Sequence, residues 1–181
     1  HPVRALILAP TRELALQVFE SVKDYSKHTP IRAMCAFGGV DIKPQIAELK
    51  KGVEILVATP GRLLDHVENK SVSFNSVQAL VLDEADRMMD MGFWPDVRRI
   101  AEALPPSAAR QTMLFSATMP EEVMRFANTL APSAVFVQVG SRRGPAQTIT
   151  HEARILPARD KAAFLAKYLR RVTEPAIVFV K

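Results

Sequence analysis

The amino-acid sequence predicts an α/β fold, in which a parallel sheet carries helices on both of its faces. Five short apolar runs recur along the 181 residues, and each run is nearly continuous rather than alternating. Such runs are typical of strands that are buried on both faces of a parallel sheet. Segments with helical spacing lie between them. This alternation of strands and helices predicts a doubly wound sheet.

The apolar runs and the helical spacing give the elements in order. The five predicted strands are Ala5–Ala9, Ile55–Ala58, Ala79–Leu82, Thr112–Phe115 and Ala176–Val180. The first predicted helix starts at Thr11, because apolar side chains then recur at the spacing of one helix face. These side chains are Leu14, Val18, Val22 and Tyr25. Further helices are predicted at about 62–69, 93–103, 120–130 and 160–172.

The alternation breaks at residues 140–148, where Gly, Pro and a pair of Arg residues occur together and favour a linker. We therefore predict a first domain at 1–139 and the start of a second domain at 149–181. The second segment supplies only a strand, a helix and a strand, which is too little apolar surface for an independent domain. The chain begins at His1 without an initiator Met, so we expect it to come from the middle of a longer protein.

Composition excludes several classes of protein. Hydrophobic residues make up 48% and charged residues 24%, which is a globular composition. Cys35 is the only cysteine, so no disulfide forms within the chain, and we expect a cytoplasmic location. The longest uncharged stretch, 126–141, contains polar residues and proline, so we expect no membrane partner. His28, His66 and His151 lack the spacing of metal ligands, and we expect them at helix ends or on the surface.

Positive charge is concentrated towards the end of the chain. The net charge is +5, and residues 140–181 alone hold 9 basic and 3 acidic residues. A basic segment of this kind favours contact with a phosphate backbone, and it is equally typical of a solvated linker followed by a charged helix face. Charge alone leaves both interpretations open.

Polar clusters follow the first four predicted strands. The clusters are Pro10-Thr11-Arg12-Glu13, Thr59-Pro60-Gly61-Arg62, Asp83-Glu84-Ala85-Asp86 and Ser116-Ala117-Thr118. In open α/β sheets the carboxyl ends of parallel strands meet at one edge, and ligands bind there. We therefore expect the four clusters to converge on one site.

Asp83 and Glu84 directly follow an apolar strand. A carboxylate in this position is typical of one that holds Mg²⁺ against the phosphates of a nucleotide, and a neighbouring carboxylate can activate an attacking water. A solvated acidic turn at the start of the next helix explains the same residues, because carboxylates are favourable there. The pair by itself leaves both interpretations open.

Five motifs occur together in one order. They are Pro10-Thr11-Arg12-Glu13-Leu14-Ala15, Gly38-Gly39, Thr59-Pro60-Gly61-Arg62, Asp83-Glu84-Ala85-Asp86 and Ser116-Ala117-Thr118, with Arg87-Met88 and Met91-Gly92-Phe93 after the acidic motif. In this order they resemble the motifs of the DEAD-box ATP-dependent RNA helicases, and residues 87–119 are most similar to the bacterial branch. The resemblance covers nearly the whole chain, including Val178-Phe179-Val180. It implies a RecA-like P-loop NTPase architecture, ATP and Mg²⁺ as cofactors, and ATP-driven unwinding of RNA.

The resemblance also implies catalytic roles. Asp83 would coordinate Mg²⁺ through water, and Glu84 would activate the hydrolytic water. Asp86 would form hydrogen bonds with Ser116 and Thr118 and so couple the nucleotide site to strand separation. An alternative role for the two hydroxyls is to cap the helix that starts near residue 120.

Five further residues match the positions that grip the sugar-phosphate backbone of RNA in this family. They are Thr11, Arg12, Gly39, Thr59 and Arg62. Arginine suits bidentate contact with phosphate, and glycines and helix N-termini let N–H groups approach an anion. Contacts of this type read the backbone, so we expect weak sequence preference. Without the motifs, surface ion pairs of Arg12 with Glu13 and of Arg62 with Asp65 would explain the two arginines.

Parts of the family pattern are missing from these 181 residues. No glycine is followed by lysine, so the Walker A motif that forms a P-loop is absent. The upstream glutamine motif and the late motifs with the arginine finger are absent too. We therefore expect a fold that is incomplete at both ends and negligible ATP hydrolysis by this chain alone. In the family the P-loop strand lies beside the strand that ends near Ser116, so we also expect an unpaired apolar edge that favours self-association.

The sequence leaves open three alternatives to an RNA helicase fragment. The chain could be an RNA-binding module without turnover, part of a DNA-directed helicase of related architecture, or a surface that binds only proteins. The first retains affinity for RNA when Glu84 is replaced. The last shows no salt-dependent affinity for RNA, because such a dependence comes from phosphate contacts.

Overall fold

The structure is a computed structural model of the chain, and it describes residues 1–139, 150 and 152–179. The chain divides into two compact units, His1–Gln138 and Val139–Lys181. The predicted linker at 140–148 lies outside the described residues, and the predicted domain boundaries stay a prediction.

The described residues of the first unit form a parallel sheet, as predicted, but with five strands where four were predicted. The strands are β1 (Ala5–Leu8), β2 (Ala33–Ala36), β3 (Ile55–Ala58), β4 (Ala79–Leu82) and β5 (Gln111–Leu114). They lie in the order β2-β3-β1-β4-β5, so β1 is central. In the register Leu6 of β1 lies opposite both Leu56 of β3 and Leu80 of β4. All three side chains are fully buried, which aligns the strands on one core.

Helices cover the sheet on both faces. The helices are α1 (Arg12–Ser26), α2 (Ile42–Lys50), α3 (Pro60–Glu68), α4 (Ala85–Asp90), α5 (Trp94–Glu102), α6 (Glu121–Leu130) and, in the second unit, α7 (Lys161–Leu169). The larger core collects side chains from β1 to β4 and from α2 to α6. A smaller core on the other face joins α1 to Val57 and Ile7. Successive strand residues point to opposite faces, which explains why Leu6 and Ile7 belong to different cores.

Three of the described strands and α-helices were not predicted. β2 and α2 lie between the first and second predicted strands, and α4 lies between the third predicted strand and the helix predicted at about 93–103. The predicted face of α1 is also wrong at its end, because Tyr25 is 87% exposed. Fifteen helical residues span about 22 Å, whereas a four-residue strand spans about 13 Å. The last turn of α1 therefore projects beyond the sheet, and Tyr25 finds no sheet surface to cover.

The predicted strand at 176–180 does not form over its described residues, 176–179. Residues 152–157, where the second unit was expected to begin with a strand, are likewise irregular. A strand needs a hydrogen-bonded neighbour, and the described residues of this unit contain none. In the described part of the chain, no helix is both long enough and apolar enough to cross a membrane.

Candidate functional site

The loops at the carboxyl ends of the five strands meet along one rim of the sheet, and the strand order divides this rim into two halves. The loops after β2, β3 and β1 lie side by side and carry the residues expected to grip RNA. We call these loops the basic half, because Arg12 and Arg62 lie in them. The loops after β4 and β5 carry the residues expected to be catalytic, and we call them the acidic half. The predicted clusters therefore converge on this rim.

Asp83 and Glu84 lie at the start of the acidic half. The Asp83 N–H donates to the Leu8 carbonyl at 2.9 Å, which extends the pairing of β4 with β1 by one residue. The Asp83 carboxylate accepts from the Glu84 N–H at 3.0 Å. Glu84 adopts a left-handed conformation with φ 48° and ψ 53°, just before α4. This conformation turns the chain sharply at the end of the strand and holds both side chains at the rim.

Arg87 forms an ion pair with Glu84 at 3.0 Å, which the sequence did not predict. The Arg87 side chain is exposed and the Glu84 side chain is partly exposed, so the pair contributes little to stability. The Glu84 side chain forms no cap on α4. The alternative of a simple helix-capping turn is therefore not supported at Glu84.

Asp86 joins the two loops of the acidic half, and the expected hydrogen bonds with Ser116 and Thr118 are present. The Asp86 carboxylate accepts from the Thr118 N–H at 2.8 Å and from its hydroxyl at 2.7 Å. The Ser116 hydroxyl accepts from the Asp86 N–H at 3.1 Å and donates to the Thr118 carbonyl at 2.6 Å. The N-cap of α6 is Pro120, which makes no side-chain cap, so the two hydroxyls do not cap that helix.

These contacts set the charge state of Asp86. Burial acts to raise the pKa of this carboxyl, but the hydrogen bonds from Thr118, Ser116 and Arg87 together outweigh burial, and the pKa lies below its ordinary value. Asp86 is therefore ionised at neutral pH. A charged acceptor makes the link between the loops after β4 and β5 stronger than a neutral one would.

In the basic half, Thr11 and Arg12 start α1. The Thr11 hydroxyl accepts from the Leu14 N–H at 3.3 Å and so caps the helix. The Arg12 guanidinium is exposed and lies 5.5 Å from the centre of the Phe37 ring. Among the described residues Arg12 forms no ion pair with Glu13, which was the alternative role for this arginine. Phe37 thus holds the Arg12 charge at the rim through a cation–π contact.

Residues 37–40, which we call the glycine loop, follow β2. Gly39 has φ +80°, a conformation that side chains rarely adopt, and a Cβ atom placed there would meet nothing within 4 Å. The backbone at Gly39 is therefore open to an incoming ligand. Glycine suits such a position because it permits both the conformation and close approach to the backbone.

Arg62 is turned towards the glycine loop. Its Nη2 donates to the Val40 carbonyl at 2.7 Å, and its Nε pairs with Asp65 at 3.2 Å. The side chain is only 9% exposed, and Nη1 is buried without a partner among the described residues. The ion pair with Asp65 is therefore present, and Arg62 also anchors the loop. Direct contact between Arg62 and RNA stays a prediction.

Thr59 precedes α3, and its hydroxyl makes no side-chain cap. Pro60 occupies the start of this helix, where its missing N–H costs nothing. The N–H groups of Gly61 and Arg62 precede the first intrahelical bond, which the Leu63 N–H makes to the Thr59 carbonyl at 3.1 Å, and this makes the start of α3 suited to an anion. The start of α3 follows β3, and β3 lies between β2 and β1 in the sheet. The start of α3 therefore lies between the glycine loop, which follows β2, and Arg12, which follows β1.

Three residues behind the basic half were missed or misplaced by the sequence. His66 was expected at a helix end or on the surface; it lies in the last turn of α3, but it is fully buried rather than exposed. Its ring contacts Gln45, which in turn donates to the carbonyl of Phe37. Gln45 and Phe37 belong to no recognised motif and carry no charge, so no signal in a single sequence singles them out.

Comparisons with known proteins agree with the motifs. A family model described as DEAD/DEAH box helicase matches residues 1–126. The DEAD-box ATP-dependent RNA helicase 52A of Oryza sativa subsp. japonica is 45% identical over 170 residues. That alignment covers 93% of this chain, and the chain spans 28% of the length of that relative. Since the family model covers most of the chain and both halves of the rim, the chain belongs to the DEAD/DEAH box helicase family.

Proposed function

We propose that this chain is part of an ATP-dependent RNA helicase, in which its basic half grips the sugar-phosphate backbone of one RNA strand. The observation that carries the proposal is the division of one rim into a basic and an acidic half that meet between β1 and β4. A relative that is 45% identical is named as an ATP-dependent RNA helicase, which supports the same activity for the protein to which this chain belongs.

The grip uses an exposed charge and open backbone. Arg12 offers a guanidinium that suits a phosphate oxygen pair. Gly39 and the start of α3 offer N–H groups with space around them. Thr11 and Thr59 border these groups, and Arg62 holds the glycine loop in place. None of these groups reads a base edge, so binding is expected to depend little on RNA sequence.

The acidic half fits a role beside a nucleotide and Mg²⁺. Asp83 directly follows β4 at the rim and would be the protein carboxylate that holds Mg²⁺ through water. Mg²⁺ commonly binds in this way, through one or two carboxylates, waters and phosphate oxygens, and it would supply charge neutralisation at the phosphates. Glu84 would orient a water for attack. The 181 residues contain no Gly-Lys pair to build a P-loop, so we expect negligible turnover by this chain alone.

Binding to a labelled single-stranded RNA, measured by fluorescence anisotropy at several salt concentrations, tests the grip. We expect the affinity to fall with salt, because each neutralised phosphate contributes about −0.7 to the slope of log K against log salt. Arg12→Ala should weaken binding and reduce the steepness of this slope by about 0.7. Glu84→Gln should leave binding in place.

Arg99→Ala is the matched control, since it removes the same charge from an exposed arginine that pairs with Glu68 at the far end of α3. Equal effects of Arg12→Ala and Arg99→Ala would contradict the assigned site. A lack of salt-dependent RNA affinity would contradict the proposal and favour a protein-binding surface. Equal affinity for DNA of the same sequence would favour a DNA-directed helicase. RNA-stimulated ATP turnover abolished by Glu84→Gln would show that a phosphate site forms without a P-loop.

A further inference from the structure

We propose that Gln45 and His66 are positioning residues for the RNA grip, because they fix the glycine loop against α3 through a buried chain of hydrogen bonds. The proposal rests on the proposed function, since it gives a role in RNA binding to side chains that lie behind the basic half. Gln45 is 8% exposed and His66 is fully buried, so neither residue is available to touch RNA itself. Their effect would pass through the backbone of the loop.

The chain of hydrogen bonds runs through four residues. The Ser71 hydroxyl lies 2.8 Å from His66 Nδ1, just beyond the end of α3. His66 Nε2 lies 3.0 Å from Gln45 Oε1 on α2. Gln45 Nε2 then donates to the Phe37 carbonyl at 3.1 Å. The chain thus connects the end of α3, through α2, to the first residue of the glycine loop.

One arrangement of protons satisfies every member of this chain. Because the Gln45 amide nitrogen donates to Phe37, its oxygen must accept from an N–H at His66 Nε2. The neutral ring then offers Nδ1 as an acceptor for the Ser71 hydroxyl, whose single hydrogen has the His66 backbone carbonyl, 3.0 Å away, as its other acceptor. Burial, followed by the charge of Arg62, lowers the pKa of His66, and Asp65 opposes this less strongly. The ring therefore stays neutral, and every hydrogen bond of the series donates in the same direction, from Ser71 to Phe37.

Phe37 connects this chain to the rim. Its carbonyl accepts from Gln45, while its ring lies under the Arg12 guanidinium at 5.5 Å. At the other end of the glycine loop the Val40 carbonyl accepts from Arg62 at 2.7 Å. The loop is thus tethered at both ends, with the exposed Gly39 between the tethers. Loss of the Gln45 tether should loosen both the loop backbone and the support of Arg12.

A role in stability alone is the competing explanation, and an apolar replacement separates the two. Gln45→Met keeps the length of the side chain but removes both hydrogen bonds. Combining it with His66→Leu removes both partners of the bond between Gln45 and His66, and loss of both partners of a hydrogen bond is often nearly neutral for stability. The Phe37 carbonyl loses its Gln45 donor in the single and in the double variant alike, so this cost cancels between them. Ser71 can then donate to the His66 backbone carbonyl, which lies 3.0 Å away. The double variant therefore fills the space between α2 and α3 with apolar side chains, but it does not restore the hydrogen bond from residue 45 to the Phe37 carbonyl.

The experiment measures RNA affinity, thermal unfolding and amide hydrogen exchange of the 181-residue chain. We expect Gln45→Met to weaken RNA binding about tenfold and to speed amide exchange in residues 37–40 without RNA. The double variant should keep the low affinity even where it regains thermal stability. Leu49→Ala, a buried apolar truncation on the same helix, should lower stability without lowering affinity for RNA.

Each outcome decides between the explanations. Recovery of affinity in the double variant together with stability would overturn the positioning role. An equal loss of RNA affinity in Leu49→Ala and Gln45→Met, at an equal loss of stability, would also overturn the positioning role. If the double variant stays unstable, this comparison is the one that decides between positioning and stability. Weakened binding in Arg12→Ala with unchanged binding in Gln45→Met would refute this inference but leave the proposed function intact. Absence of salt-dependent binding by the unmodified chain would refute the proposed function itself.

Discussion

At the scale of single residues, the backbone at Glu84 is the clearest sign of a functional constraint. Glu84 is one of the described non-glycine residues with positive φ, and it lies at the rim. Such conformations cost free energy and persist mainly where the surrounding structure requires them. Here the turn must bring Asp83 and Glu84 to the end of β4 and still start α4. The strain therefore follows from the position that the two carboxylates occupy.

Replacing Glu84 tests this strain directly. We expect Glu84→Gly to be more stable than Glu84→Ala by about 1 kcal/mol, because alanine in a left-handed conformation carries a steric cost that glycine avoids. Both variants lack the carboxylate, so the loss of the ion pair with Arg87 cancels in the comparison. Denaturant unfolding measures the difference. Equal stability of the two variants, or greater stability of the alanine variant, would show that the site is unstrained.

The same scale shows what a sequence reveals about a site. The motifs placed Asp86, Ser116 and Thr118 together, and the structure contains those hydrogen bonds. The sequence did not reveal that Arg62 turns to the Val40 carbonyl or that His66 is buried. A motif specifies the chemistry of a side chain. The direction in which that side chain points depends on partners that lie far along the sequence, and those partners do not stand out in the sequence.

At the scale of elements, the apolar runs predicted four of the five strands but missed β2. The run Ala33–Ala36 contains no Val, Ile or Leu, and three of its four side chains are small, so it lacks the apolar signal of the other strands. Its place in the sheet comes from pairing with β3. The helix α2 was missed because Pro44 and several charged residues obscure its spacing. Both elements flank the glycine loop, so the most poorly predicted segment is also part of the candidate site.

The buried His66 of α3, which contacts Gln45 of α2, should make the free energy of unfolding depend on pH. The pKa of His66 is lowered from its ordinary value of 6.5, so below that pH the unfolded chain binds a proton that the folded chain does not. The free energy of unfolding should therefore fall as the pH drops below 6.5, by at most about 1.4 kcal/mol per pH unit. The loss should level off once the pH passes the pKa of the folded state.

His66→Gln removes this titration and leaves the other histidines unchanged. Denaturant unfolding from pH 7.5 to 5.5 should therefore show a smaller loss of stability in the variant than in the unmodified chain. The comparison stays above the range in which most carboxyl groups titrate. Parallel curves for the two proteins would mean that His66 titrates alike in the folded and unfolded states.

At the scale of the whole first unit, the sheet is covered unequally on its two faces. The larger core spans β1 to β4 and is covered by five helices, whereas the smaller core joins α1 only to the side of the sheet formed by β1, β2 and β3. Val81 of β4 and Met113 of β5 point to this second face and are half-buried. Within the described residues β5 pairs only with β4. The edge at β5 and the neighbouring part of the second face therefore lack a partner there, and the opposite edge, at β2, likewise pairs only with β3.

This edge should make the chain associate with itself. An exposed strand edge with apolar neighbours favours pairing with another chain, and Phe115, which directly follows β5, is 55% exposed. We expect sedimentation velocity to show association that increases with concentration in the micromolar range. Met113→Lys should shift the chain towards monomer, because a charge on an edge strand opposes such pairing. Met91→Lys, at the exposed methionine that directly follows α4, is the control and should leave the association unchanged. A monomer at all concentrations, with cooperative unfolding, would mean that the edge of β5 is protected in solution.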